Sequence, residues 1–158
     1  MKLYLETTLF NYYFDVEREG HADTLHLFEK IKTGNYEAYT STVTIGELLK
    51  APELKKSKML ALIDEYRIAT LPITDEANHL ATLYVSEKII PAQFRLDAAH
   101  IAIASINHLD YMLSYNFKHI NRARTKLMTE RINRVFGYGS ILICTAKEVL
   151  DDEQQNEE

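Results

Sequence analysis

Short apolar runs that favour β-strands alternate with longer helical patterns along the whole chain. This alternation predicts a parallel sheet with helices on both faces, because parallel neighbours are joined by crossover helices. The strands are expected at residues 3–5, 36–43, 111–114 and 141–144, with residues 68–73 either a short strand or an extended connector. The clearest helices are expected at residues 24–32, 44–50, 53–66, 74–88 and 122–136, and between Pro91 and His108.

The helix after Pro91 is the most apolar of these. Its central segment, residues 98–104, reads Ala-Ala-His-Ile-Ala-Ile-Ala and leaves almost no polar face. A helix that is apolar nearly all round is buried, so this one is expected to pack on the sheet.

The length of 158 residues suits one domain, which we place at residues 1–150. Cys144 is the only cysteine, which excludes an internal disulfide and suggests a buried strand position. Glu6 comes too early for a signal-peptide core, and no run approaches the roughly 18 apolar residues of a membrane span. The protein is therefore expected to be cytoplasmic and to make no membrane contact.

Charge is distributed unevenly along the chain. The net charge is -5, but residues 151–158 contain five acids and no base, so residues 1–150 are neutral overall. This polar, acidic tail is predicted to be disordered. Residues 116–134 are instead basic, a pattern that fits either phosphate contact or a solvated helix face. The basic residues are Lys118, Arg122, Arg124, Lys126, Arg131 and Arg134, against Glu130 alone.

Three acids lie where a parallel sheet binds its ligands, beyond the carboxyl ends of the strands. Glu6 directly follows the first strand, and Glu47 is expected in the first turn of the helix after the second strand. Asp97 lies where the buried helix becomes apolar, a place where an unpaired charge costs several kcal/mol. Asn116 closes the fourth strand at the same edge, whereas Asp110 begins that strand and should lie at the opposite edge.

Each acid also has a simpler structural interpretation. Glu6 could be a solvated or helix-capping residue. Glu47 stands three residues after Thr44, the spacing of a capping box. Asp97 could pair with Arg95 or be an exposed first-turn acid.

Taken together, the acids suggest a cation site. Carboxylates that lie close together repel one another unless a cation intervenes. Mg²⁺ prefers oxygen ligands and needs only a few carboxylates, and it can activate water for attack on a phosphodiester. The chain contains no glycine-rich phosphate loop, zinc-spaced Cys/His set or serine nucleophile motif that would favour another chemistry.

Four segments resemble the PIN-domain family, most closely VapC-like toxins of type II toxin–antitoxin pairs. In chain order they are residues 3–8, 44–48, 96–104 and 110–120, and the similarity spans roughly residues 1–150. The resemblance implies an α/β/α sandwich with a central, mostly parallel sheet. It also implies an endoribonuclease dependent on Mg²⁺ or Mn²⁺, a homodimer, and an antitoxin whose tail blocks the site.

The same resemblance implies catalytic roles for four residues. Glu6, Glu47 and Asp97 match the family's metal-binding acids, with Glu6 in place of the usual aspartate. Asn116 stands where many members have a further aspartate. The longer Glu6 side chain and the uncharged Asn116 leave an alternative, in which a PIN fold binds RNA or protein with weak or lost catalysis.

Further residues around these four are secondary candidates. Thr7 and Ser114 flank the acids, where they would either orient ligands or make simple strand-end hydrogen bonds. His100 lies one helical turn after Asp97, and we expect a buried, hydrogen-bonded histidine rather than a catalytic one. The candidates for holding the RNA backbone are Lys118, His119 and Arg122.

Overall fold

The computed structural model describes residues 1–157 and places a five-stranded sheet at the centre of the molecule. Every pair of neighbouring strands is parallel, and the strand order is β3-β2-β1-β4-β5. The carboxyl ends of all five strands therefore lie at one edge. The strands are β1 (Lys2–Leu5), β2 (Glu37–Ser41), β3 (Ala69–Leu71), β4 (Tyr111–Leu113) and β5 (Leu142–Cys144).

Eight α-helices flank the sheet within the described residues. A 3₁₀ turn at Ala92–Phe94 leads into the most apolar of them. The helices are α1 (Thr7–Phe14), α2 (His21–Lys32), α3 (Thr42–Leu48), α4 (Glu53–Glu65), α5 (Asp75–Ser86), α6 (Arg95–Ile106), α7 (Ala123–Phe136) and α8 (Ala146–Glu157).

Alternate residues of β1 supply two separate cores, one on each face of the sheet. Leu3 and Leu5 belong to a core that includes Phe28 of α2, whereas Tyr4 belongs to a core that includes Ile101 of α6. Residues 98–104 of α6 are all buried, which confirms the position expected from their composition. The predicted parallel sheet, covered by helices on both faces, is thus confirmed.

Helix α3 begins two residues earlier than expected. Its N-cap is Ser41, whose Oγ accepts a hydrogen bond from the backbone N–H of Thr44 at 3.4 Å. The capping-box interpretation of Thr44 and Glu47 is therefore wrong, and Glu47 lies in the last turn of α3 rather than the first. The carboxylate of Glu47 is left to contact other elements.

The acidic tail is helical as far as residue 157. Residues 151–157 continue α8, which crosses the expected domain boundary at residue 150, while Glu158 lies outside the described residues. Glu153 accepts hydrogen bonds from the Tyr36 hydroxyl at 2.5 Å and from Lys30 Nζ at 3.5 Å. These contacts with α2 and the start of β2 offset the mutual repulsion of the acids and hold the helix against the domain.

The opposite edge of the sheet carries Asp110, as predicted. Its Oδ2 accepts a hydrogen bond at 2.7 Å from the backbone N–H of Lys2, where β1 begins. Cys144 is buried in β5, also as predicted. Within residues 1–157, no helix combines the length and apolar character needed to cross a membrane.

Candidate active site

Glu6 is a buried carboxylate at the carboxyl end of β1, with 3% of its surface exposed. Its Oε1 accepts hydrogen bonds from Thr8 Oγ1 and Ser114 Oγ, each at 2.7 Å. Within the described part of the chain, no hydrogen bond reaches Oε2. Burial raises the pKa of Glu6, against the opposing effects of the His100 charge and the two hydroxyls. A nearby cation would therefore stabilise its ionised form.

Glu47 reaches toward the same place from the last turn of α3. Its Oε1 contacts His100 Nε2 at 2.5 Å and accepts a hydrogen bond from Thr7 Oγ1 at 3.2 Å. Burial opposes its ionisation, but the hydrogen bond and charge of His100 outweigh that effect and lower the pKa of Glu47. Glu47 is thus held as a carboxylate by its histidine partner.

His100 is fully buried and hydrogen-bonded through both ring nitrogens. Its Nδ1 lies 2.6 Å from the Tyr4 hydroxyl, which in turn lies 2.7 Å from Ser41 Oγ. Burial disfavours the charged imidazolium, yet the Glu47 hydrogen bond and the charges of the acids raise the pKa of His100. The expectation of a buried, hydrogen-bonded histidine is confirmed.

Asp97 lies half-buried in the first turn of α6. Arg95 donates instead to the backbone oxygen of Asn78 at 3.1 Å, and no ion pair joins Arg95 to Asp97 within residues 1–157. Burial raises the pKa of Asp97, while the His100 charge and a hydrogen bond from the Asn116 side chain act in the opposite direction. The hydrogen bond from Asn116 therefore favours the ionised form of Asp97.

The side-chain oxygen of Asn116 makes a local hydrogen bond. Asn116 Oδ1 accepts the backbone N–H of His119 at 3.0 Å, which closes the turn after β4. Asn116 N–H in turn donates to Ser114 Oγ at 3.0 Å. Its side chain thus fixes the loop and directs its amide group toward Asp97.

The three acids come from separate elements and interact around His100. The charge of Glu47 raises the pKa of both Glu6 and Asp97, and His100 acts electrostatically on all three acids. Among residues 1–157, however, no three His, Cys, Asp or Glu side chains already stand in an arrangement that could hold a metal ion. The donor chemistry still fits a hard divalent cation, because oxygen ligands dominate and two of the carboxylates have raised pKa values.

The secondary candidates divide into two groups. The hydroxyls of Thr7 and Ser114 donate to Glu47 and Glu6, so in this structure they orient the acids. Lys118 and Arg122 are exposed beside Asn116, and the ring of His119 stacks on Phe94 with centroids 4.0 Å apart. The role of all five in substrate binding remains a prediction.

Sequence reasoning missed two residues that support the site. Thr8 donates to Glu6 and accepts from Tyr115 N–H at 2.8 Å, so it joins the segment after β4 to the acid. Tyr4 bridges Ser41 and His100. The signal for Tyr4 was its position among the apolar residues of the first strand, since a buried tyrosine hydroxyl normally requires a partner.

No protein-family model and no curated protein matches the sequence. Solved structures do match. A chain of the VapBC2 structure from Rickettsia felis, bound to a DNA fragment from the promoter, superposes with a TM-score of 0.57 at 14% identity. That match covers 92% of this chain and 98% of the other.

VapC20 of Mycobacterium tuberculosis, described as a toxin that cleaves the sarcin–ricin loop, matches with a TM-score of 0.55. The identity is 11%, and the match covers 74% of this chain and 92% of VapC20. At such identities the likeness concerns the fold. The chain has the PIN-like α/β fold found in VapC toxins, as the sequence resemblance predicted.

Proposed function

We propose that this chain is an endoribonuclease that hydrolyses RNA phosphodiester bonds with Mg²⁺ or Mn²⁺. The observation that supports the proposal is the contact of Glu47 with His100, a buried histidine that also interacts electrostatically with Glu6 and Asp97. This edge is where open parallel sheets bind ligands. The fold shared with VapC20, a toxin described as cleaving RNA of the sarcin–ricin loop, supports the same reaction class.

Glu6, Asp97 and Glu47 would hold the cation. Its binding would require Glu47 to share or release the 2.5 Å contact with His100. A divalent ion supplies Lewis-acid chemistry, lowering the pKa of water and neutralising phosphodiester charge. Its binding would also relieve the repulsion that Glu47 exerts on Glu6 and Asp97.

The chain's own side chains set the geometry of the reaction. Thr8 and Ser114 fix Glu6 through its Oε1, which leaves Oε2 for a ligand. Asn116 holds Asp97 without adding charge. Two exposed cations follow Asn116, namely Lys118 and Arg122, and we propose that they bind RNA phosphates.

The same proposal includes protein partners. The matched VapBC2 structure is that of a toxin–antitoxin pair, which supports an antitoxin partner for this chain. We further propose a homodimer, following the resemblance to VapC-like proteins. An acidic site of this kind can be silenced by a partner segment that covers it.

RNA cleavage by the purified chain tests the proposal. We expect a structured RNA to be cut at defined internal positions, cleavage to stop in excess chelator, and added Mn²⁺ or Mg²⁺ to restore it. The restored activity should saturate with metal concentration, because a defined site is filled. Unchanged cleavage in chelator would contradict metal dependence, and absence of internal cleavage with either metal would contradict the nuclease.

Two observations favour a second candidate, a PIN fold that binds RNA or protein with weak or lost catalysis. Glu47 already has a partner in His100, and Asn116 contributes no negative charge to the site. In that case the chain would retain RNA in a gel-shift assay and leave it intact after prolonged incubation with Mn²⁺.

A further inference from the structure

A pocket of about 460 Å³ opens on the side of the sheet covered by α1 and α2. Its lining combines three aromatic side chains, Tyr12, Tyr115 and Phe117, with charged residues. The volume lies within the range of about 300–1,000 Å³ that is typical of small-molecule pockets. Phe117 follows β4 and Thr145, also in the lining, follows β5, so the pocket lies at the ligand edge of the sheet.

One wall of the pocket is rigid. The rings of Tyr12 and Tyr115 stack with centroids 4.0 Å apart and planes 5° apart, and Arg18 lies over Tyr12 at 5.6 Å. The Tyr115 hydroxyl is 2.7 Å from Thr24 Oγ1, which fixes the ring from below. A wall that is ordered before binding reduces the conformational entropy lost when a ligand arrives.

Phe117 forms the other, more open wall. It is 55% exposed, and its ring is tilted by 58° from that of Tyr115 with centroids 6.4 Å apart. Exposed aromatic rings beside a groove are the surfaces on which proteins stack unpaired nucleobases, and every base offers a face for this contact.

The pocket is joined directly to the candidate active site. Tyr115 N–H donates to Thr8 Oγ1 at 2.8 Å, and Thr8 in turn donates to Glu6. Asn116, which hydrogen-bonds Asp97, stands between Tyr115 and Phe117 in the chain. A base held in the pocket would therefore contact residues 115–117, the segment whose backbone is hydrogen-bonded to Thr8, the partner of Glu6.

The pocket lining carries charges of both signs, with Arg18 and Lys147 against Glu19 and Asp23. Arg18 and Lys147 pair with Asp15 at 3.1 Å and Asp151 at 2.6 Å. These pairs are exposed and thus weak, so Lys147 can turn to a phosphate, whereas Arg18 also lies over Tyr12. Asp23 supplies a carboxylate, a group that accepts hydrogen bonds from the amino groups of bases.

We propose that this pocket binds one unpaired nucleobase of the RNA substrate, stacked on Phe117. The inference rests on the proposed function for the identity of the polymer. It goes further in assigning a substrate class, RNA with an unpaired base beside the scissile bond, and a residue that recognises it.

Fluorescence titration of an RNA hairpin with 2-aminopurine in its loop tests the pocket. Chelator is present throughout, so the RNA stays intact and failure of catalysis does not affect the result. Stacking on Phe117 should quench the fluorophore, and Phe117→Ala should weaken binding about tenfold or more, given the size of base–aromatic contacts. The same fluorophore inside a duplex should show no quenching.

Phe136→Ala is a matched control, because Phe136 is also 55% exposed but lies at the end of α7. This variant should bind the hairpin within twofold of the unaltered chain. Equal weakening by both substitutions, or equal quenching in loop and duplex, would overturn the proposal. So would a Phe117→Ala variant that binds RNA normally but loses a protein partner, since the pocket would then be a protein-docking site.

Discussion

Asp97→Asn should leave the protein folded and lower RNA cleavage by at least about 100-fold. Loss of groups that merely support metal ligands costs about 10–100-fold, and Asp97 is placed here as a direct ligand. Asparagine keeps the size of the side chain and its ability to pair with Asn116, while it removes the negative charge. The measurement is the initial rate of internal cleavage at saturating Mn²⁺, with circular dichroism to establish the fold.

Asp110→Asn provides the control for that experiment. Asp110 is an exposed acid at the opposite edge of the sheet, where it accepts a hydrogen bond from Lys2 N–H. The same chemical change there should leave the cleavage rate within about twofold. If the folded Asp97→Asn protein cuts RNA as fast as Asp110→Asn, Asp97 has no part in catalysis.

His100→Leu should destabilise the metal-free protein by about 3 kcal/mol, the lower end of the cost of breaking a buried charge pair. The lower end applies because the side chain of Glu47 is 29% exposed, whereas that of His100 is fully enclosed. The substitution would also leave the Tyr4 hydroxyl without its nitrogen partner. Urea unfolding in chelator measures the change in free energy.

The stabilisation that the Glu47–His100 pair contributes should depend on pH in a defined direction. The pKa of His100 is raised on folding, so its contribution is full below the ordinary histidine value near 6.5 and is lost as pH rises through the raised pKa. The pKa of Glu47 is lowered, so its contribution is full above its ordinary value of 4.5 and is lost as pH falls through the lowered pKa. The difference in unfolding free energy between the unaltered chain and the His100→Leu variant should therefore be largest between about pH 4.5 and pH 6.5.

His79→Leu is the corresponding control, because His79 is exposed on α5. Its unfolding free energy should stay within about 0.5 kcal/mol of the unaltered chain, as for most surface changes. Two outcomes would show that the charged pair contributes nothing to stability. One is an equal loss of unfolding free energy in both variants, and the other is a loss in His100→Leu that is the same at every pH.

The sheet could be predicted from the sequence because its signals are local. Residues 3–5 and residues 98–104 are so apolar that only buried positions suit them, and both predictions are confirmed. Helix boundaries were harder, as α3 shows. Ser41 ends β2 and caps α3 at once, and neither its hydroxyl contact with Thr44 nor the two-residue shift follows from periodicity.

The site could be predicted only as a set of positions along the chain. The ligand-edge rule predicts Glu6, Glu47 and Asp97 at one edge, and in the structure Glu47 contacts His100, whose pKa is raised by all three acids. The contacts between individual atoms depend on how side chains from three separate elements pack, and the ligand-edge rule does not specify that. The partnership of Glu47 with His100 joins residues 53 positions apart, and no pattern within α3 or α6 indicates it.

The conformation of the acidic tail could not be predicted from its composition alone. Residues 151–157 have the polarity of a disordered segment, yet they continue α8. Tyr36 and Lys30 lie more than 100 positions away in the sequence and supply partners for Glu153. The sequence of the segment alone does not indicate partners that lie so far away in the chain.

Calorimetric titration with Mn²⁺ tests the central claim most directly, namely that acids from distant parts of the chain jointly bind a divalent ion. We expect saturable binding below millimolar concentration by the unaltered chain and little or none by Asp97→Asn. Absence of measurable binding at millimolar Mn²⁺, or equal binding by both proteins, would contradict the account.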